Sequence, residues 1–331
     1  MASAWDLWLT PTISLSLIVE AESAVPSITR FISQWALYFQ PYLVKQALEY
    51  EVGQRPELDV ISAGTLRVVD YAYFRQTIAK GQSDETYERV RNDEDLAADI
   101  ANDEGIENPS TEYELLQVAL ERVRSVYALV DAATIQAART FPDDGSADEQ
   151  LRTLWRLLKP EQELPNLVGK HWQELGFQNV SPATDLRAVG MLGLESLRFF
   201  AQTYGERAVA IVDEAVNGGA EWYPLALASI HMTAFTLDLA EKRDLQLLLL
   251  RTTQTKPEPS STATDYTALM RISSDLLLLF HEHWKRGSFT VMQFEQVEKD
   301  FRSALRPWIR RGVLDGRALG ESWDEGGIKL D

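Results

Sequence analysis

In "PATDLRAVG" (182–190), Arg187 lies about one turn into a helical element, close behind Thr184 and Asp185. Short polar side chains at a helix start bond the free backbone N–H groups, and an acid there suits the helix dipole. A cation does not, so Arg187 needs a reason to be there. Two chemistries supply one. Its guanidinium can clamp Asp185, Glu174 or the carbonyls at a helix end. Alternatively, a planar and permanently charged fork can reach the phosphate oxygens of a bound partner.

Other chemistry is hard to assemble from these residues. There is no cysteine, which removes disulfides, iron–sulfur clusters, thiol catalysis and thiolate zinc sites together. The four histidines are His171, His231, His281 and His283. His281 and His283 are two apart on a helix, so they point about 200° apart and cannot share a metal. His171 and His231 read as core or surface histidines with satisfied ring nitrogens. No phosphate-binding G-x-x-x-x-G-K-[ST] loop, dinucleotide-binding G-x-G-x-x-G or G-x-S-x-G elbow occurs. No metal or cofactor site is expected. The net charge of −18 repels phosphate backbones, so nucleic acid is not expected as a partner. It leaves room for a partner that brings its own basic patch.

The elements that would position Arg187 read as all-α. Residues 28–52 are apolar and aromatic, with Pro41 splitting them into two short helices, and 58–80 form another amphipathic helix. The acid-rich stretch 81–110 reads as a solvated linker or a frayed surface helix. Helical periodicity returns over 111–140. Ser146 and Glu149 are spaced as a capping box over a stripe of Leu151, Leu154, Trp155 and Leu158, with Pro160 at the exit. A helix over 166–175 stops at Gly176, and Ser181–Pro182 starts the next element. In that element Leu194, Leu197, Ala201 and Tyr204 form a buried stripe, widened by Leu192, Phe199 and Phe200. Gly190 and Gly193 permit a close helix approach. After further helices over 205–219 and 224–250, a polar break at 252–265 ends at Thr264 or Asp265, which caps a helix running to Gly287. Thr290 and Gln293 form a second capping box, Phe294, Val297, Phe301 and Leu305 a buried face, and Pro307 kinks or ends that helix. The organisation expected is an N-terminal helical region at 1–145 with the acidic linker inside it, a core at 146–310, and a loose tail at 311–331.

The N-terminus has no basic leader and no apolar run spans a bilayer, so a cytoplasmic protein is expected. The aromatic stretch around 30–50 offers peripheral membrane contact, but its few basic residues favour packing onto the helical body instead.

One stretch resembles a known family. Trp172-x-x-x-Gly176-Phe177-Gln178, then Pro182-x-Thr184-Asp185-x-Arg187, then Gly190-x-Leu192-x-Leu194-x-x-Leu197-x-x-Phe200 is similar to the signature of the ELMO domain. The flanks "LWRLLKP" and "LLLFHEHWKRGSFTVMQFEQVEKDFRSAL" extend the likeness over roughly 146–308. The architecture resembles the ELMO-domain-only (ELMOD-type) proteins. Leu186 and Ala188 stand where that family commonly has Phe and Gly, and Ser181 where an Asp or Asn is usual.

The resemblance implies an irregular multi-helix bundle and GTPase-activating activity towards Arf and Arf-like small GTPases, hence a role in membrane trafficking. It implies Arg187 as the catalytic arginine. Trp172, Gly176, Gln178, Thr184, Asp185 and Gly190 would then bind the partner or position the motif. GTP and Mg²⁺ would come with the GTPase, so the chain would need no cofactor of its own. Two other readings stay open: a non-catalytic scaffold for a small GTPase or a Dock-type exchange factor, and a membrane-trafficking adaptor working through the aromatic N-terminus.

Overall fold

The computed structural model describes residues 84–142, 144–252, 266–310 and 314. The readings of 28–52, 58–80, the break after 252 with its cap at Thr264 or Asp265, and nearly all of the tail fall outside them. Among the described residues every regular element is a helix and none is a strand, as the all-α reading requires. The chain divides into two compact units between Val123 and Arg124, inside one long helix.

In the first unit the acidic stretch is helical rather than a linker. It forms α1 (Asp84–Asn92) and α2 (Leu96–Glu104), the second closed by Gly105 in the left-handed conformation. Val90, Leu96, Ala97, Ala101 and Ile106 are buried, so a sparse apolar face stands behind the acids. Arg89 bonds Asp99 at 2.9 Å on the solvent side. α3 (Thr111–Ala138) then runs for 28 residues and crosses the division.

The second unit is built around α6 (Gly190–Thr203), which follows α4 (Asp148–Leu158) and a four-residue helix, α5 (Pro182–Asp185). Beyond it come α7 (Gly205–Val216), α8 (Leu225–Glu241), α9 (Gln246–Thr252), α10 (Thr267–Gly287) and α11 (Phe294–Ile309). α6 packs against α4, α7, α8 and α10 at once. That explains why Met191, Leu192, Leu194, Leu197, Phe200 and Ala201 are all buried: a helix with neighbours on several sides must be apolar on all of them. α8 packs on both α6 and α10 and is buried nearly all round. Its buried Thr233 and Thr236 hydroxyls satisfy themselves by bonding the carbonyls four residues back, at 2.9 and 2.7 Å.

Several start and stop signals hold. Leu151, Leu154, Trp155 and Leu158 are buried on α4, and α10 ends at Gly287. Thr290 and Gln293 form their capping box, and Phe294, Val297, Phe301 and Leu305 face inward. Others do not. α4 has no capping box: Ala147 is its cap residue, Glu149 instead reaches Arg156, and the Ser146 N–H bonds Asp144 at 2.9 Å. The helix expected over 166–175 is only a 3-10 turn, Lys170–Leu175. Pro307 does not end α11, which runs on to Ile309. Among the described residues no helix is long and apolar enough to cross a membrane.

Candidate functional site

The stretch from Leu167 to Gly190 is folded by its own aromatics and glycines. Trp172 is fully buried, edge-on to Trp155 and Phe177 at ring distances of 5.5 and 5.8 Å. Its indole N–H donates to the Leu167 carbonyl at 3.0 Å, which satisfies the one polar group such a ring brings into a core. Buried Leu175 and Phe177 flank Gly176, which ends the 3-10 turn with φ +91°. A Cβ on Gly176 would run into the backbone of Pro224 and Leu225, and its carbonyl accepts the Leu227 N–H at 3.3 Å. Gly176 is therefore where this segment is seated on the start of α8.

Beyond it, Asp185 gathers the chain. One of its oxygens accepts the backbone N–H groups of Gln178 and Asn179 at 2.6 and 3.2 Å, and the other accepts the Asn179 side-chain amide. Gln178 is exposed, and its carbonyl takes the Gln173 amide at 3.2 Å. The loop before α5 is thus clamped to the end of α5 by one carboxylate.

Arg187 comes next, in a 3-10 turn, Leu186–Ala188, between buried Leu186 and Val189. Its side chain is exposed, and its Nε donates to the Thr184 carbonyl at 2.9 Å. Neither carboxylate expected to clamp it does so: Asp185 is engaged with the loop, and Glu174 pairs with Lys159 at 3.4 Å. Among the described residues no carboxylate lies within ion-pair distance of Arg187, and neither Nη group makes a hydrogen bond. Its conflict with a helix dipole also disappears. The helix it was placed in stops at Asp185, and Arg187 sits in the last turn of the short element that follows.

The chain then turns into α6 at Gly190, with φ +50° and no room for a Cβ against the carbonyls of Ala137 and Arg139. The Met191 N–H bonds that same Arg139 carbonyl at 3.1 Å. Gly190 does permit a close approach, by the end of α3. Gly193 serves otherwise, its missing side chain giving room to Val189 and Leu186. Exposed Arg187 follows half-buried Thr184 and Asp185 with Gln178 held against Asp185, while Trp172, Gly176 and Gly190 form the foundation.

Four further residues hold this foundation, and its links to Glu195 carried no sequence signal because Gln136 and Tyr266 lie 59 and 71 residues from it. Glu195 accepts the Gln136 amide at 2.7 Å and the Tyr266 hydroxyl at 2.6 Å, and Gln136 in turn accepts from Arg139 at 3.1 Å. Burial, then the bond to Glu195, pushes the Tyr266 hydroxyl well above the usual phenol range, so it stays a donor. No group of three or more His, Cys, Asp or Glu among the described residues is arranged to hold a metal ion.

Comparison with known proteins agrees with this anatomy. Residues 134–298 match the model of the ELMO/CED-12 family. Similar curated proteins are cattle ELMO domain-containing protein 1, 25% identical over 215 residues, covering 60% of this chain and 64% of the relative. Dictyostelium discoideum ELMO domain-containing protein B is 28% identical over 175 residues, covering 52% and 58%. Human ELMO domain-containing protein 2 is 31% identical over 120 residues, covering 36% and 41%. The chain thus spans less than two thirds of the length of these relatives, and no solved structure matches it. The matched stretch begins within α3 and ends within α11, taking in the whole arginine turn and every helix that seats it, and through this domain the chain belongs to the ELMO/CED-12 family.

Proposed function

We propose that this protein is a GTPase-activating protein for Arf and Arf-like small GTPases, with Arg187 as the residue it supplies in trans. In the reaction, water attacks the γ-phosphorus and the bond to the β–γ bridging oxygen breaks. That oxygen keeps the electron pair as GDP leaves, and the proton of the water goes to the released phosphate. Charge on the γ-phosphoryl and bridging oxygens grows in the transition state, and a guanidinium placed there accelerates hydrolysis by roughly 10³–10⁵. The observation that carries this reading is an exposed arginine with its Nε tied to the Thr184 carbonyl and both Nη groups unpaired. The tether limits the rotamers of a long side chain, so less freedom is lost on docking. GTP and Mg²⁺ belong to the partner, and the protein works in the cytoplasm or peripherally on internal membranes in trafficking.

Single-turnover GTP hydrolysis by a panel of Arf and Arf-like GTPases tests this, with wild type beside Arg187→Lys. Lysine keeps the charge and loses the fork, so the acceleration should fall at least about a hundredfold with the fold intact. A second reading, a non-catalytic scaffold for a small GTPase or a Dock-type exchange factor, draws on one observation. Ala188 puts an exposed methyl beside Arg187, where the family commonly has glycine. Wild type that binds the GTP form without accelerating hydrolysis would establish it.

A further inference from the structure

Beside the arginine turn lies a second exposed feature that the catalytic reading leaves unused. The Gly169 N–H donates to the Val180 carbonyl at 2.8 Å, so residues 168–170 lie alongside 178–180. The Asp185 carboxylate in turn binds 178 and 179 to the end of α5, next to Arg187. Three stretches of chain are thereby laced together, and three exposed side chains emerge from the first two. Val168 is 60% exposed and Val180 is 44% exposed, among the few large apolar side chains of the described residues left in water. Lys170 is exposed beside them, and among the described residues no carboxylate lies within ion-pair distance of it. Lys159, Lys242 and Lys285, by contrast, have acidic partners.

A single exposed valine needs no explanation. Two of them at one hydrogen bond between neighbouring stretches, with an unpaired lysine next but one to the first and an unpaired arginine on the adjoining turn, make a small apolar and cationic patch on an acidic protein. We propose that Val168, Lys170 and Val180 are the recognition face that seats the GTP-loaded GTPase while Arg187 enters its nucleotide pocket, a proposal that rests on the reading above. The face fits a partner surface that is apolar with a carboxylate at its edge, next to bound phosphates. Arg187 acts on the transition state, whereas this face acts on encounter and binding, so the two separate kinetically.

The experiment measures single-turnover hydrolysis by GTP-loaded Arf and Arf-like GTPases against the concentration of the full chain, for wild type, Lys170→Glu, Lys170→Arg and Val168→Asp. Lys170→Glu and Val168→Asp should each raise KM about tenfold or more, with kcat within about twofold of wild type and thermal melting unchanged. Lys170→Arg should restore the wild-type KM. Binding of the same GTPases loaded with a non-hydrolysable GTP analogue is measured alongside. Acceleration by wild type with KM unmoved in both variants overturns the recognition face and leaves the arginine reading standing. Binding without acceleration, lost in the two variants, removes the catalytic reading and keeps the face. Wild type that neither binds nor accelerates overturns both.

Discussion

Gly176 is the position at which the site's geometry is most directly testable. Replacing it with alanine introduces two separate costs. The backbone there has φ +91°, where an L side chain crowds the following carbonyl, at about 1–2 kcal/mol. The added methyl also falls on the backbone of Pro224 and Leu225, at separations that real Cβ atoms essentially never show. Backbone at the start of α8 is held by its own helix, so it cannot swing aside as a side-chain tip would. Relieving such an overlap costs about 1–3 kcal/mol more. The sum is about 2–5 kcal/mol. For a unit of this size each kcal/mol shifts the melting temperature by about 2–4 °C, so a fall of roughly 10 °C is expected.

Gly218 supplies the control within the same unit. It has φ +70°, and nothing lies within 4 Å of an added Cβ. Gly218→Ala therefore carries the conformational cost alone. Urea unfolding of both variants, followed by tryptophan fluorescence, isolates the collision as their difference, about 1–3 kcal/mol. Equal losses would mean that Gly176 is needed only for its backbone angle and that the seating on α8 is not tight. Below the unfolding transition Gly176→Ala should also slow GTPase activation, because the Gln178–Asp185 clamp and Arg187 are carried on the displaced segment.

Two other perturbations separate holding the site from building the fold. Asp185→Ala removes the acceptor of the Gln178 and Asn179 N–H groups on an exposed loop, where water replaces it; stability should fall by only about 1 kcal/mol while the GTPase-activation rate falls about tenfold or more, measured by urea unfolding and single-turnover hydrolysis. Burial holds the His281 imidazole below its ordinary pKa, so the folded state binds its proton less readily than the unfolded one. Its contribution to stability is present above about pH 6.5 and is lost as pH falls below that, and His281→Gln should flatten the decline of the urea midpoint between about pH 7 and 5.

The parts of the fold legible in the sequence were those governed by neighbours in the chain. The α4 stripe, the stop at Gly176, the stop at Gly287 and the Thr290–Gln293 box each rest on residues within a turn or two of one another. Ser146 and Glu149 had the same local spacing and failed, because competitors were close: Asp144 bonds the Ser146 N–H, and Arg156 draws Glu149 away. The acidic stretch misled for a related reason. Its charges outnumber its apolar residues, yet Val90, Leu96, Ala97, Ala101 and Ile106 lie on one buried side, and a sparse face suffices once it has something to cover it.

At the site, composition and spacing singled out Arg187 but misplaced it. Leu186 and Val189 continue a helical period, so the sequence reads as one helix from Pro182 onward. The break comes from Gly190, whose φ of +50° is set by the end of α3 pressing against it, some fifty residues earlier in the chain. That contact turns the arginine out of a helix and onto an exposed turn, and the Glu195 network of Gln136, Arg139 and Tyr266 holds the contact in place. The choice between clamp and finger was therefore never a matter of the arginine's immediate neighbours. Asp185 lies two residues away and does not pair with Arg187, because the loop at Gln178 and Asn179 offers it three N–H groups and takes both its oxygens. A carboxylate so occupied leaves the guanidinium without an ion pair, and it is occupied by the loop that follows Gly176 in the chain.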